Sequence, residues 1–289
     1  MRNTFLTIII VLLSLPAIAG TGARFLTVEP GARPVAMGGA YTAVSADPYS
    51  AAYNPAAVFG IHGISGSIGH NTYWDNTRIH TGYIVFEKRS IAFNAGIQFA
   101  EIADIEAYGS TPTDDPLYLF ESQNVSFKVG TAFMVHHRVA VGFSAGWIVE
   151  KIDNYRDYAI NGDFGVLVHA SDRLNIGASV LYLGQKLKLA SEETDIPTAY
   201  RLGASYRIRN ILVAADLVSE DDDNHFHFGG EFNPIEDFFL RAGYRTGYDS
   251  RDLSAGVGFA HRNLRIDYAY MPYSDKLDDS HLINLTFTL

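Results

Sequence analysis

Hydrophobic positions alternate with small or polar ones from about residue 62 to the end of the chain. Leu253-Ser254-Ala255-Gly256-Val257-Gly258-Phe259 has one apolar parity and one small or polar parity. Leu264, Ile266, Tyr268 and Tyr270 repeat the pattern, as do Val139 to Trp147 and the final run Ile283, Leu285, Phe287, Leu289. A period of two is the signature of a half-buried strand. Fourteen such segments can be marked: 62–73, 77–87, 90–102, 123–135, 138–151, 158–169, 174–184, 198–207, 210–219, 224–233, 238–247, 252–261, 264–272 and 281–289. Most have the roughly 9–11 residues that a tilted strand needs to cross a bilayer. Their number is even, as in single-chain bacterial outer-membrane barrels.

The connections carry a second signal. Tight turns follow the even segments, at Lys88-Arg89, His136-His137, Ser171-Asp172-Arg173, Arg209-Asn210, Pro234 to Asp237 and Arg262-Asn263. The connections after odd segments are mostly longer, as at 103–122, 185–197 and 273–280. Outer-membrane barrels have short periplasmic turns and longer external loops. A soluble sandwich has no reason to couple loop length to strand parity. The expected fold is therefore all-β, a 14-stranded antiparallel transmembrane β-barrel with its apolar parity in hydrocarbon. Tyr83, Tyr108, Tyr118, Trp147, Tyr182, Tyr200, Tyr206, Tyr244, Tyr268, Tyr270 and Tyr273 are candidates for its interfacial aromatic girdles.

The start of the chain has a different pattern. Arg2, an apolar run from Phe5 to Leu15, Pro16 and then Ala17-Ile18-Ala19 read as a signal peptide over 1–19, with the mature chain starting at Gly20. The apolar run is shorter than the roughly 20 residues of a membrane-spanning helix. Export and the alternating pattern together place the protein in the outer membrane of a Gram-negative bacterium, with lipid and lipopolysaccharide as its surroundings.

Composition narrows the chemistry. The 289 residues include no Cys, which removes disulfides and thiolate sites, and the formal charge of −10 argues against a nucleic-acid partner. Nucleophile elbow, P-loop, zincin and dinucleotide motifs are all missing, so no enzymatic activity and no cofactor are expected.

The polar parity supplies the presumed interior. Its charged members are Lys128, Asp163, Arg201, Asp216, Glu231, Arg241, Arg245, Arg265 and Asp267. Asn94, Gln98, Asn161, Asn175 and Asn284 join them, with many small residues, Gly82, Gly96, Gly130, Gly142, Gly243 and Gly256 among them. Buried charges need partners, so these residues should form a network between the wall and whatever fills the lumen. Segment 20–60 does not alternate and is rich in small residues, which suits a plug folded inside the barrel 61–289. Arg33 is then a candidate partner for Asp163, Asp216 or Asp267. Asp47-Pro48 can start a short helix as N-cap and first residue, and Asn54-Pro55 can end it.

Within that segment, the phrase from Ala32-Arg33-Pro34-Val35-Ala36-Met37-Gly38-Gly39 through Asp47 to Asn54-Pro55-Ala56 resembles the N-terminal hatch signature of the FadL superfamily. It is closest to the PorV/PorQ branch. The resemblance covers roughly residues 24–60 and implies a hatch inside a fourteen-stranded barrel. It makes Ala32, Arg33, Met37, Gly38, Gly39, Asp47, Asn54, Pro55 and Ala56 the matching hatch residues, with structural roles. The PorV/PorQ branch implies a non-enzymatic accessory of type IX-like protein secretion or surface attachment, with secreted proteins as partners. The wider superfamily implies the alternative, a channel for uptake of hydrophobic small molecules. The C-terminal Phe287 and Leu289 resemble the recognition signal of the outer-membrane assembly machinery.

Two features remain. The longer connections are acidic, with Asp104, Glu106, Asp114, Asp115 and Glu121 in one and Glu220 to Asp223 in another, and read as solvated faces. His225, His227 and Glu231 share one parity. They could approach a metal, but no further ligand is specified, so no metal site is assigned and a position at the rim is expected.

Overall fold

The computed structural model describes residues 23–73, 77–109, 113–189, 192–220, 223–248, 250–274 and 278–289. The signal-peptide reading of 1–19, the first hatch residues 20–22, and Asp221 and Asp222 of the acidic loop lie outside them. The strands are β1 (Ile64–Thr72), β2 (Arg78–Lys88), β3 (Ile91–Ala107), β4 (Tyr118–His136), β5 (Val139–Ile152), β6 (Tyr155–His169) and β7 (Leu174–Gly184). They continue with β8 (Ala199–Ile208), β9 (Ile211–Glu220), β10 (Asp223–Ile235), β11 (Phe238–Thr246), β12 (Leu253–His261), β13 (Leu264–Met271) and β14 (Ser280–Thr288). Each pairs antiparallel with its neighbours, and β1 pairs with β14 from Ser65↔Thr288 to Thr72↔His281, which closes the barrel. Closure leaves no unpaired strand edge, the condition for a sheet in hydrocarbon.

The outer face is apolar on every side. Ile68, Phe93, Ile160, Phe226, Phe259 and Ile283 are each more than half exposed. A soluble monomer rarely exposes a contiguous apolar area beyond a few hundred Å²; here the belt surrounds the barrel, and its solvent is lipid. This is an integral outer-membrane barrel. Tyr108, Tyr118, Trp147, Tyr206, Tyr244 and Tyr268 are exposed on that outer face.

Three sequence expectations need correction. The loop expected over 103–122 is strand at both ends and shrinks to 108–117. β3 runs to Ala107 and β4 starts at Tyr118. A bulge between Ile102 and Ile105 inserts one residue and inverts the parity, which hid the continuation. Tyr182 points inward instead of joining a girdle, for the same reason. β7 carries an extra residue opposite Gly162/Phe164, and Tyr182 adopts a left-handed φ of 61°. Tyr83 also points inward and Gly82 outward. In β2 both parities are apolar from Tyr83 to Phe86, so alternation could not choose between them.

The lumen holds residues 23–61. A 3-10 turn at Arg24–Thr27 lies toward the long-loop end, followed by α1 (Ala32–Ala36), a left-handed pair at Gly38 and Gly39 (φ 63° and 71°), and α2 (Ser50–Tyr53). The segment then reaches the short-turn end, where Glu87 accepts the backbone N–H groups of Gly60, Ile61 and His62. Tyr41, Tyr49 and Tyr53 are at most 2% exposed, so the core of this protein lies inside the cylinder, between hatch and wall.

Candidate functional site: the lumen and its hatch

The hatch is too irregular to satisfy its own backbone, and a buried polar group without a partner is costly. The inward positions of the wall supply the partners. Asn284 of β14 accepts the Ala32 N–H at the start of α1 (2.8 Å). Asp216 of β9 accepts the N–H groups of Tyr41 and Thr42 (both 2.9 Å) and the Thr42 hydroxyl (2.6 Å). Gln98 donates to the carbonyls of Phe25 and Val28, Ser179 to Tyr53 and Ser205 to Ala43. Asn54 donates to the carbonyls of Thr42 and Val166 and accepts the Ala56 N–H. It is an internal junction of the hatch, ten residues ahead of β1, which begins at Ile64. Pro55 and Ala56 are buried beside it.

Charged residues form three groups. In the first, arginines and carboxylates alternate around a closed ring. Arg33 grips Glu231 with Nε and Nη2 (2.7 and 2.8 Å), Glu231 accepts Arg241 (2.7 Å), Arg241 reaches Asp267 (2.8 Å), and Asp267 accepts Arg265 (2.7 Å). Arg265 then binds Asp47, and Asp47 returns to Arg33 at 3.3 Å. Arg33 therefore pairs with Glu231 and Asp47, not with the expected Asp163, Asp216 or Asp267. Asp47 is more than a cap. One oxygen accepts the Tyr49 N–H just ahead of α2, which starts at Ser50 rather than at Pro48, while the other lies in the ring.

In the second group, Glu29 meets Arg245 at 2.9 Å, His227 at 3.5 Å and Arg201 at 3.8 Å, and Arg201 also reaches Asp216 and the Gly39 carbonyl. Sequence reasoning missed Glu29. Its signal was available, because it is the single acid between Gly20 and Ala46. The third group is Lys128 on both oxygens of Asp163 (2.6 and 2.7 Å), with the Tyr182 ring over its ammonium at 3.9 Å. Asp163 also accepts the Tyr182 N–H that the β7 bulge frees (2.8 Å). His225 and His227 are buried at the outer end of β10, His225 two residues from its start. His225 stacks on Tyr248, His227 shares a hydrogen bond with its hydroxyl, and Glu231 is taken by arginines instead of either imidazole.

Met37 and Gly38 press closely on the wall, while Gly39 is crowded by Glu29 of the hatch itself. A Cβ on Gly38 would lie 2.8 Å from the Phe228 carbonyl oxygen. Inward Gly229 and Gly243 leave the room into which Met37 and Gly38 fit.

Toward the long-loop end the lumen becomes apolar. Phe25 and Leu26 of the hatch pack with Ile79 of β2, Ile148 of β5, and Leu187 and Ile196 of the connection between β7 and β8. Among the described residues, luminal hollows beside them measure about 20, 20 and 10 Å³. Each has room for about one water. The larger hollow of about 740 Å³, lined by Ala204, Ala215, Gly230 and Ala242 with Tyr206 and Phe228, lies on the lipid face.

These features define a plugged transmembrane barrel of the outer membrane. Its fold is shared with solved barrels. The toluene transporter TbuX of Ralstonia pickettii superposes with a TM-score of 0.72 at 15% identity, covering 90% of this chain and 98% of TbuX. The toluene transporter TodX of P. putida gives 0.66 at 13% identity, with 90% and 98% covered. A Pseudomonas aeruginosa FadL homologue gives 0.61 at 12% identity, with 94% and 99% covered. No family model and no curated protein matches the chain by sequence.

Proposed function

We propose that the protein passes small hydrophobic molecules across the outer membrane. The observation that carries this reading is the apolar cluster at the outer end of the lumen, to which both the hatch (Phe25, Leu26) and an external connection (Leu187, Ile196) contribute. A solute that partitions there exchanges one apolar contact for another, and the hatch feels its arrival directly. An open aqueous pore fits poorly, because the described luminal hollows are of water size. The hatch must shift for a solute to pass, which requires part of its polar and apolar contacts with the wall to give way. The fold partners named as toluene transporters support the same reading over the secretion accessory.

Cells deleted for the gene and complemented with it will differ in accumulation of labelled toluene at low external concentration, and complementation with Leu187→Asp will fail to restore it. Equal accumulation in deleted and complemented cells contradicts the proposal.

A further inference from the structure

The apolar cluster has a polar edge that the anchoring of the hatch does not use. Asn124 of β4, Glu150 of β5 and Asp157 of β6 are direct register partners in one row. Asn124 and Glu150 face inward and are each 8% exposed. The Ala23 N–H donates to the Glu150 carboxylate, yet among the described residues its Oε2 has no partner. The Asn124 amide nitrogen donates to Ser122 Oγ (3.4 Å), so its carbonyl Oδ1 is the open end, also without a partner. Asp157 accepts the Lys188 N–H. The two unpartnered atoms of the row, Asn124 Oδ1 and Glu150 Oε2, are both acceptors, and an unpaired buried acceptor is a position that wants a donor.

The surroundings decide which donor. Among the described residues, no cation stands within ion-pair distance of Glu150. Lys128, four residues along β4 from Asn124, is held by both oxygens of Asp163. Ile148 lies on the same inward face as Glu150 and belongs to the apolar cluster with Phe25 and Leu187. A cross-strand pair holds its Cβ atoms about 4.5–5.5 Å apart, so one small group between Asn124 and Glu150 can reach both.

We propose that the outer end of the lumen recognises hydrophobic molecules bearing a cationic amine, with Glu150 as counter-ion, Asn124 Oδ1 as second acceptor and the apolar cluster holding the body of the molecule. The inference rests on the solute-channel reading and sharpens its substrate class. A carboxylate in the same position would face bare acceptors. Six luminal cations, Arg33, Arg201, Arg241, Arg245, Arg265 and Lys128, are each already opposite a carboxylate, and Arg251 lies over the Tyr248 ring at 4.3 Å. The acidic outer end of the barrel, with Asp104 and Glu106 near the end of β3 and Asp114 and Asp115 in the connection after it, raises the local concentration of cations at the entrance.

The test is calorimetric titration of the full barrel in detergent with benzylamine, toluene and benzoate, three probes of one size that differ in charge. Benzylamine will bind about tenfold or more tighter than benzoate. Glu150→Gln will bring benzylamine to the affinity of toluene and leave toluene unchanged. Asn124→Leu will weaken benzylamine severalfold, again without effect on toluene. If toluene binds but benzylamine binds no tighter than toluene, or neither variant alters it, the amine site is overturned while the channel reading stands. If none of the three binds, both are overturned.

Discussion

Glu231→Ala will release the hatch and lower the stability of the barrel by about 3–5 kcal/mol, the range for breaking a buried ion pair from one side. Glu231 is the single carboxylate between Arg33 and Arg241, both nearly fully buried. Its removal leaves two guanidinium groups in the lumen, one on the hatch and one on the wall. Asp47 still faces Arg33 and Asp267 still faces Arg241, which is why the barrel should form at all. The expected observation is a lower temperature for loss of the compact band in detergent gels, with protease cleavage between Ala32 and Asp47 while the wall stays intact. The double variant Arg33→Met with Glu231→Leu should recover much of the loss, because an apolar pair of similar volume leaves no bare charge. If the single and double variants lose the same amount, the ring does not hold the hatch.

Gly38→Val will be the next most damaging change. Gly38 sits at φ 63°, where a β-branched residue is strained by about 1–3 kcal/mol. Its Cβ would also lie 2.8 Å from the Phe228 carbonyl and 3.0 Å from the Tyr244 nitrogen, both wall backbone that cannot swing aside. Overpacking of this kind adds about 1–3 kcal/mol. Gly82→Ala is the control. Its Cβ points to lipid and meets only a methyl of Ile97 at 3.3 Å, so thermal stability should change by less than about 0.5 kcal/mol. Equal effects at the two positions would mean that the hatch does not press on β10 and β11 as described.

Much of this architecture is written locally. Alternation and the match of turn length to strand parity carry the barrel, because both are set by the bilayer and repeat on every strand. The inward set was equally legible, since Lys128, Asp163, Asp216 and Arg241 interrupt apolar strands that have no other use for charge. Their partners were not legible. Arg33 and Glu231 are 198 residues apart, and only the register around the closed barrel brings them together. Parity also failed where a bulge shifted it, at Tyr182, and where a strand packs on both faces, at Tyr83. The apolar cluster at the outer end was hidden for a third reason. Phe25, Ile79, Ile148 and Leu187 come from four distant segments, none of them distinctive alone.

The central claim is that a hydrophobic solute crosses only when the hatch shifts inside the lumen. The chain contains no cysteine, so one pair can be introduced cleanly. Ala36 of α1 and Ala269 of β13 share a buried cluster and are both fully buried. With cysteines at these two positions, toluene accumulation should stop under oxidising conditions and return on reduction. Accumulation at the same rate with the cross-link formed would contradict the account.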